Sequence, residues 1–289
     1  MPIKRDLEAR LGRGIAIAND ANCFALSEAT DGAGQGAAVV FGVILGTGVG
    51  GGMVVNGRVL EGRNGVGGEW GHNPLPWPND DERPGAACFC GQRGCIETWL
   101  SGPGLARDHH AHVPGDASPA HEIVARAAQH DAASDATLAR YEDRLARSLA
   151  HVINIVDPDV IVLGGGLSNV DRWYKSVPRL WSRWVFSDRV DTELLRHAHG
   201  DSSGVRGAAC CREGTWCRNR IRARETRRDR CRSARVSTAR PALRSDLPGS
   251  TVMQKLATTF AWNFSEPFQV VQVRQRSWRG PDAGSLSPL

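Results

Sequence analysis

One histidine and three cysteines have the spacing of a metal site. His72 precedes Cys88, Cys90 and Cys95 in the pattern His-x15-Cys-x-Cys-x4-Cys. Three thiolates and one imidazole form the closed tetrahedral set that structural zinc prefers. The alternative is three reduced, buried cysteines beside an unrelated histidine. We predict that these four residues bind a structural Zn²⁺, which would order the Gly-, Pro- and Cys-rich segment 61–98.

Three carboxylates could act on a hydroxyl group. Asp20 follows Asn19, a good N-cap residue, at the start of a predicted helix over residues 21–29. A carboxylate there could accept the proton of an attacking hydroxyl during phosphoryl transfer, or it could only cap the helix. Glu69 and Glu97 flank the predicted zinc cluster, so the metal would fix the positions of both carboxylates. Each could then accept hydrogen bonds from the hydroxyl groups of a polyol. The alternative for these two is an ordinary surface carboxylate.

Two glycine-rich segments each follow a short apolar run that is typical of a buried strand. The first run covers residues 37–45 and leads into Gly46, Thr47, Gly48, Gly50, Gly51 and Gly52. The second covers residues 160–163 and leads into Gly164, Gly165 and Gly166. Neither segment matches a Walker sequence or a dinucleotide fingerprint, and the first could be only a glycine-rich hairpin turn. Together they favour a nucleotide cleft, because backbone amides there can approach phosphate oxygens.

The remaining periodicity indicates an α/β protein. Residues 15–18 are a short strand candidate, and Asn56-Gly57 between apolar residues predicts a β-hairpin. Apolar residues at three- and four-residue steps over 138–156 predict an amphipathic helix. This helix would feed the buried strand at 160–163.

Charge is distributed unevenly along the 289 residues. From Cys210 onward there are 16 Lys and Arg against 6 Asp and Glu, whereas the preceding residues hold 20 against 25. A basic tail without a recognisable fold motif is weak support for a nucleic-acid-binding arm. No stretch approaches the roughly 20 apolar residues of a membrane helix. We therefore expect a cytoplasmic protein with no membrane partner and no nucleic-acid partner.

Several motifs, in order, resemble one family. They are Asn19–Asn22, Leu45–Gly52, Gly68–His72, Cys88–Glu97 and Asp157–Gly166. In combination they resemble the ROK (repressor, ORF, kinase) family over about residues 5–209. Residues 71–77, 168–171 and 199–209 are most similar to its bacterial fructokinase (manno-fructokinase) branch, with N-acetylglucosamine kinases as near neighbours.

The resemblance implies a two-lobed, actin-like ATPase (ribonuclease H-like) fold and transfer of phosphate from ATP, with Mg²⁺, to the 6-hydroxyl of fructose. It implies that Asp20 is the base and that Asn19, Asp20, Glu69, His72 and Glu97 contact the sugar. The glycine segments would face ATP, and His72 would serve both zinc and sugar. The expected partners are a hexose, ATP and a second copy of the chain in a homodimer.

Two departures from the family pattern bear on this expectation. The family's opening Asp-x-Gly-Gly-Thr-Lys sequence does not occur here, so we expect a small lobe that is largely missing, with residues 1–30 as its remnant. Residues 31–205 would form the large lobe. The second departure is that family chains end shortly after a Gly-Ala-Ala sequence, here residues 207–209, whereas this chain continues. Residues 206–289 would be an Arg-rich tail that is disordered or translated out of frame. The alternatives are an N-acetylglucosamine, glucose or mannose kinase, or an inactive zinc-binding fragment. A sugar-sensing repressor is disfavoured because no helix-turn-helix sequence precedes Asn19.

Overall fold

The computed structural model describes residues 3–15 and 17–210, and most of the predicted Arg-rich tail lies outside them. The described residues form eight α-helices and five strands. The helices are α1 (Ile3–Leu11), α2 (Asp20–Asp31), α3 (Ile96–Leu100), α4 (Gly102–His112), α5 (Ala120–Ala128), α6 (Ala132–Val156), α7 (Trp173–Trp181) and α8 (Ser203–Cys210). The strands are β1 (Val39–Leu45), β2 (Val49–Val55), β3 (Arg58–Val59), β4 (Val160–Gly164) and β5 (Glu193–Arg196).

The strands form one mixed sheet in the order β3-β2-β1-β4-β5. Strands β1, β2 and β3 are antiparallel neighbours, and the Asn56-Gly57 turn joins the last two with both residues at positive φ. Strand β4 pairs in parallel with β1 and with β5. Because β1 and β4 are parallel neighbours, their carboxyl ends lie at the same edge of the sheet. A long connection, which includes β2 and β3, joins the two strands.

Both faces of the sheet are covered, which explains the continuous apolar runs in β1 and β4. Phe41, Val43 and Leu45 of β1 belong to the larger core cluster, together with apolar side chains of helices α3 to α7. Val40, whose side chain alternates to the opposite face of the strand, belongs to a second cluster with α2 and α8. This arrangement confirms the predicted α/β class.

Helix α2 lies directly against the sheet because two strand glycines leave room for it. A Cβ atom at Gly52 would lie 2.5 Å from the carbonyl oxygen of Ala21, and one at Gly164 would lie 2.5 Å from the ring of Phe24. Any larger residue at either strand position would push the helix outward. The boundary between a small-lobe remnant (1–30) and a large lobe (31–205) stays a prediction. Helix α2, most of which lies before that boundary, packs on the sheet formed by the residues after it.

The sequence predicted most of these elements. The helix over 21–29, the strand before Gly46, the Asn-Gly hairpin, the long helix and the strand at 160–163 are all confirmed. The strand predicted at 15–18 is wrong for its described residues, which belong to no regular element. The backbone amide of Ile15 donates to the Glu8 carboxylate at 3.1 Å instead of to a neighbouring strand. Among the described helices, none combines the length and hydropathy needed to cross a membrane.

Candidate active site

A cleft of about 1270 Å³ opens at the carboxyl ends of β1 and β4. All five predicted sugar contacts line it, and so do seven of the nine residues predicted to face ATP. These lining residues are Asn19, Asp20, Glu69, His72, Glu97, Gly46, Thr47, Gly48, Gly50, Gly51, Gly165 and Gly166. The other two, Gly52 and Gly164, are not among the lining residues, and the close approach of α2 to the sheet accounts for their small size. Residues far apart in sequence therefore share one cavity.

The amino terminus of α2 supplies the candidate base. Asn19 caps the helix by accepting a hydrogen bond from the Asn22 amide at 3.0 Å, and its side-chain amide donates to Glu69 at 3.3 Å. Asp20 is half-buried, and one of its carboxylate oxygens accepts from the Ala21 amide at 2.9 Å. Capping fixes the direction in which α2 begins, and therefore the place where Asp20 enters the cleft.

The first glycine segment is a hairpin turn and a cleft wall at once. It joins β1 to the antiparallel β2, and the Gly46 amide donates to the Gly48 carbonyl at 3.0 Å across the turn. Thr47 is exposed at its tip. We call residues 46–48 the phosphate hairpin, after the ligand that the sequence analysis predicts for them. The two interpretations of this segment from sequence are thus compatible.

The four predicted zinc ligands lie together in one cluster. Their four ligand atoms are all within 4.8 Å of one another. The Cys88 sulfur is 3.6 Å from His72 Nδ1, and the Cys90 and Cys95 sulfurs are also 3.6 Å apart. Zinc bonds of about 2.3 Å to sulfur and about 2.0 Å to nitrogen require tetrahedral edges of roughly 3.5–3.8 Å. The residues therefore fit a zinc ion.

The pKa shifts in this cluster follow from burial and from contacts of the thiols with one another and with backbone amides. Burial, followed by hydrogen bonds with the Cys90 and Cys88 thiols, raises the pKa of Cys95 to about 12. Burial likewise raises the pKa of Cys88. Burial would raise the pKa of Cys90 too, but hydrogen bonds, first from the Gln92 amide, lower it overall. Three thiolates this close together need a bound cation to balance their charge.

A second anchor holds the segment between the zinc ligands, and the sequence analysis missed it. The Glu82 side chain is 3% exposed and accepts hydrogen bonds from Arg144 at 2.7 Å and from Arg147 at 2.8 and 2.9 Å. Arg147 also donates to the carbonyls of Pro76 and Trp77. Burial would raise the pKa of Glu82, but hydrogen bonds from Arg147, Arg144 and the Asn79 amide hold it below its usual value. Residues 76–82 are therefore fixed to helix α6.

Helices α4 and α5 provide a less polar part of the cleft that the sequence did not indicate. Pro103 lies in the first turn of α4, and Ala120, His121 and Val124 lie on α5. Leu167 and Val170, just after the second glycine segment, complete this part. Such a surface could contact a planar base, beside glycine turns that could contact phosphates.

A cleft of this kind, with glycine turns at the ends of parallel strands and carboxylates nearby, is typical of α/β proteins that bind a nucleotide. The sequence profile of the ROK family matches residues 1–213, and the chain belongs to that family. Its fold is the actin-like ATPase fold of the ROK sugar kinases.

Three known proteins illustrate the relationship. The chain is 42% identical over 212 residues to the N-acetyl-D-glucosamine kinase of Vibrio vulnificus, which covers 72% of this chain and 70% of the relative. The ROK hexokinase from Thermus thermophilus superimposes with a TM-score of 0.64 at 33% identity, covering 72% of this chain and 68% of that one. A ROK family glucokinase from Streptomyces griseus, solved with glucose and AMPPNP, gives a TM-score of 0.63 at 29% identity, covering 72% and 71%.

Proposed function

We propose that the protein is a hexose kinase that transfers the γ-phosphoryl group of ATP to the 6-hydroxyl of N-acetylglucosamine. The observation that carries the proposal is the shared cleft, which brings Asp20 and four polar side chains together with the phosphate hairpin. Phosphoryl transfer requires mainly that nucleophile and phosphate be positioned and that charge be stabilised. A cleft with these two parts meets that requirement.

Each group has a role in this mechanism. Asp20 accepts the proton of the sugar hydroxyl as it attacks phosphorus. Asn19 and Glu69, joined by their hydrogen bond, bind hydroxyls of the sugar together with His72 and Glu97. Backbone amides of the glycine segments bind the phosphates of MgATP, the second substrate. His72, Cys88, Cys90 and Cys95 would hold a structural zinc, which would order the sugar-binding residues beside it.

Two hexoses are candidates for the sugar substrate. N-acetylglucosamine comes first because kinases of that sugar from Vibrio vulnificus and Pectobacterium carotovorum are 42% and 44% identical to this chain. Fructose is the second candidate, because residues 71–77 and 199–209 resemble the fructokinase branch. Both sugars offer a primary 6-hydroxyl, so Asp20 has the same role with either.

A coupled assay of ADP release over N-acetylglucosamine, fructose, glucose and mannose tests the proposal. We expect the highest kcat/KM with N-acetylglucosamine. Asp20→Asn should lower kcat by roughly 10²–10⁴-fold, since it removes the proton acceptor and retains the shape. Asp188→Asn, at an exposed position away from the cleft, is the matched control and should leave the rate unchanged.

The outcomes separate the alternatives. A higher kcat/KM with fructose would replace the first candidate sugar by the second. Full activity in Asp20→Asn would refute the assigned base. An absence of ADP release with every sugar, in protein that holds one zinc per chain, would refute the kinase and leave a zinc-binding fragment.

A further inference from the structure

Glu97 contacts the phosphate hairpin as well as the sugar part of the cleft. Its Oε2 accepts a hydrogen bond at 2.9 Å from the backbone amide of Val49, the first residue of β2 after the hairpin. The Glu97 residue is half-buried. One side chain therefore lies between the places proposed for sugar and for phosphate.

The absence of a side chain at Gly48 lets the Glu97 carboxylate lie close to the hairpin backbone. A Cβ atom at residue 48 would lie 2.7 Å from Glu97 Oε2, closer than a carbon and an oxygen can lie without a bond. The carboxylate would then have to move away from the Val49 amide. The glycine at this position is thus explained by the neighbouring glutamate.

A second hydrogen bond ties the same chain segment to the other side of the hairpin. The Gly102 amide donates to the Gly46 carbonyl at 2.8 Å, and the Ser101 amide donates to the Glu97 carbonyl at 3.2 Å. Residues 97–102, from α3 to the start of α4, thus bind the hairpin at Gly46 and the chain directly after it at Val49. The hairpin is thereby shaped before a nucleotide binds, which lowers the entropic cost of binding.

The same segment begins at the metal site. Cys95, one of the four zinc ligands, is the N-cap residue of α3, and Glu97 is in the first turn of that helix. Fixing Cys95 fixes the start of α3, and so the position of the Glu97 side chain. A continuous series of contacts runs from the metal ligands to the phosphate hairpin.

We propose that Glu97 is a positioning residue for the nucleotide, through which the zinc site sets the shape of the phosphate hairpin. This inference rests on the proposed function, because it takes the hairpin to bind the phosphates of ATP. Glu97 acts here as a hydrogen-bond acceptor for the Val49 amide. Its effect on nucleotide binding is therefore expected even when no sugar is present.

Calorimetric titration of the zinc-loaded protein with AMPPNP and Mg²⁺, without sugar, tests this role. Glu97→Ala should weaken binding by about 5- to 10-fold, the size of the net contribution of one typical hydrogen bond. Glu97→Gln keeps an acceptor oxygen and should bind within about 2-fold of the parent. Glu193→Ala, an exposed change on β5, should bind as the parent does. Zinc content and circular dichroism are measured for each variant.

A separate experiment tests whether zinc acts on the hairpin through Glu97. Removing zinc with a chelator should weaken AMPPNP binding by the parent, but should cause little further loss in Glu97→Ala, because both changes act on one contact. Unchanged nucleotide affinity in Glu97→Ala would overturn the inference, and independent losses from the two changes would overturn the link to zinc. A parent that binds AMPPNP but phosphorylates no sugar would instead refute the proposed function alone.

Discussion

Glu82→Ala tests the second anchor and is expected to be strongly destabilising. Removing one partner from a buried ion pair typically costs about 3–5 kcal/mol, since the other charge stays buried without compensation. We place this variant near the lower end, at about 3 kcal/mol, because Arg144 keeps its 2.8 Å bond to Asp108 and Arg147 keeps two carbonyl acceptors.

Urea unfolding of the zinc-loaded protein measures the effect. With a denaturant slope of roughly 2–3 kcal/mol per molar, the midpoint should fall by about 1–1.5 M while the slope stays constant. Glu122→Ala, at an exposed position on α5, is the matched control and should change stability by less than about 0.5 kcal/mol.

A double-mutant cycle makes the reasoning refutable. If Glu82 and Arg147 form one unit, the loss in the double alanine variant should be smaller than the summed single losses by at least about 1 kcal/mol. A loss below about 1 kcal/mol in Glu82→Ala, or strictly additive losses, would show that this pair does not anchor the segment.

Two further predictions concern acid and metal. Burial would raise the pKa of Glu28, but hydrogen bonds from the Ala198 and Ala33 amides and the Ser203 hydroxyl hold it below the usual 4.5. Its contribution to stability is therefore complete above pH 4.5 and is lost as the pH falls through the lower folded value, so Glu28→Gln should flatten the acid side of a plot of melting temperature against pH. Cys95→Ser should reduce bound zinc from one per chain to well below one by atomic absorption, whereas Cys23→Ser, on α2, should leave it at one; equal loss in both would refute the assigned cluster.

Local chemistry explains what the sequence could predict. Asn19 and Asp20 sit at a capped helix start, which depends on a few adjacent residues, and the cysteine spacing reflects the wrapping of a short loop around one ion. These signals are contained in segments of fewer than ten residues. The resemblance to a family then indicated that the segments share a cleft, which no single segment could show.

The missed features depend on distant contacts. Glu82 and Arg147 are 65 residues apart, and nothing in either neighbourhood indicates the other. Gly52 and Gly164 stay predicted to face ATP, but the contact of both with α2 gave no local signal in the sequence. The apolar run at 15–18 fits a strand, yet a strand also needs a partner, and the described residues supply none there.

The segment between His72 and Cys88 has two anchors, the metal ligands and the ion pairs of Glu82, and different reagents should disrupt each of them. An oxidant that attacks thiolates would release the metal, but it would leave the carboxylate and guanidinium groups of Glu82 and Arg147 intact. The segment would then remain attached to α6, with His72 near the place to which reduced cysteines return. We expect inactivation by metal loss to be reversible, so that reduction of the cysteines and return of zinc restore activity without refolding.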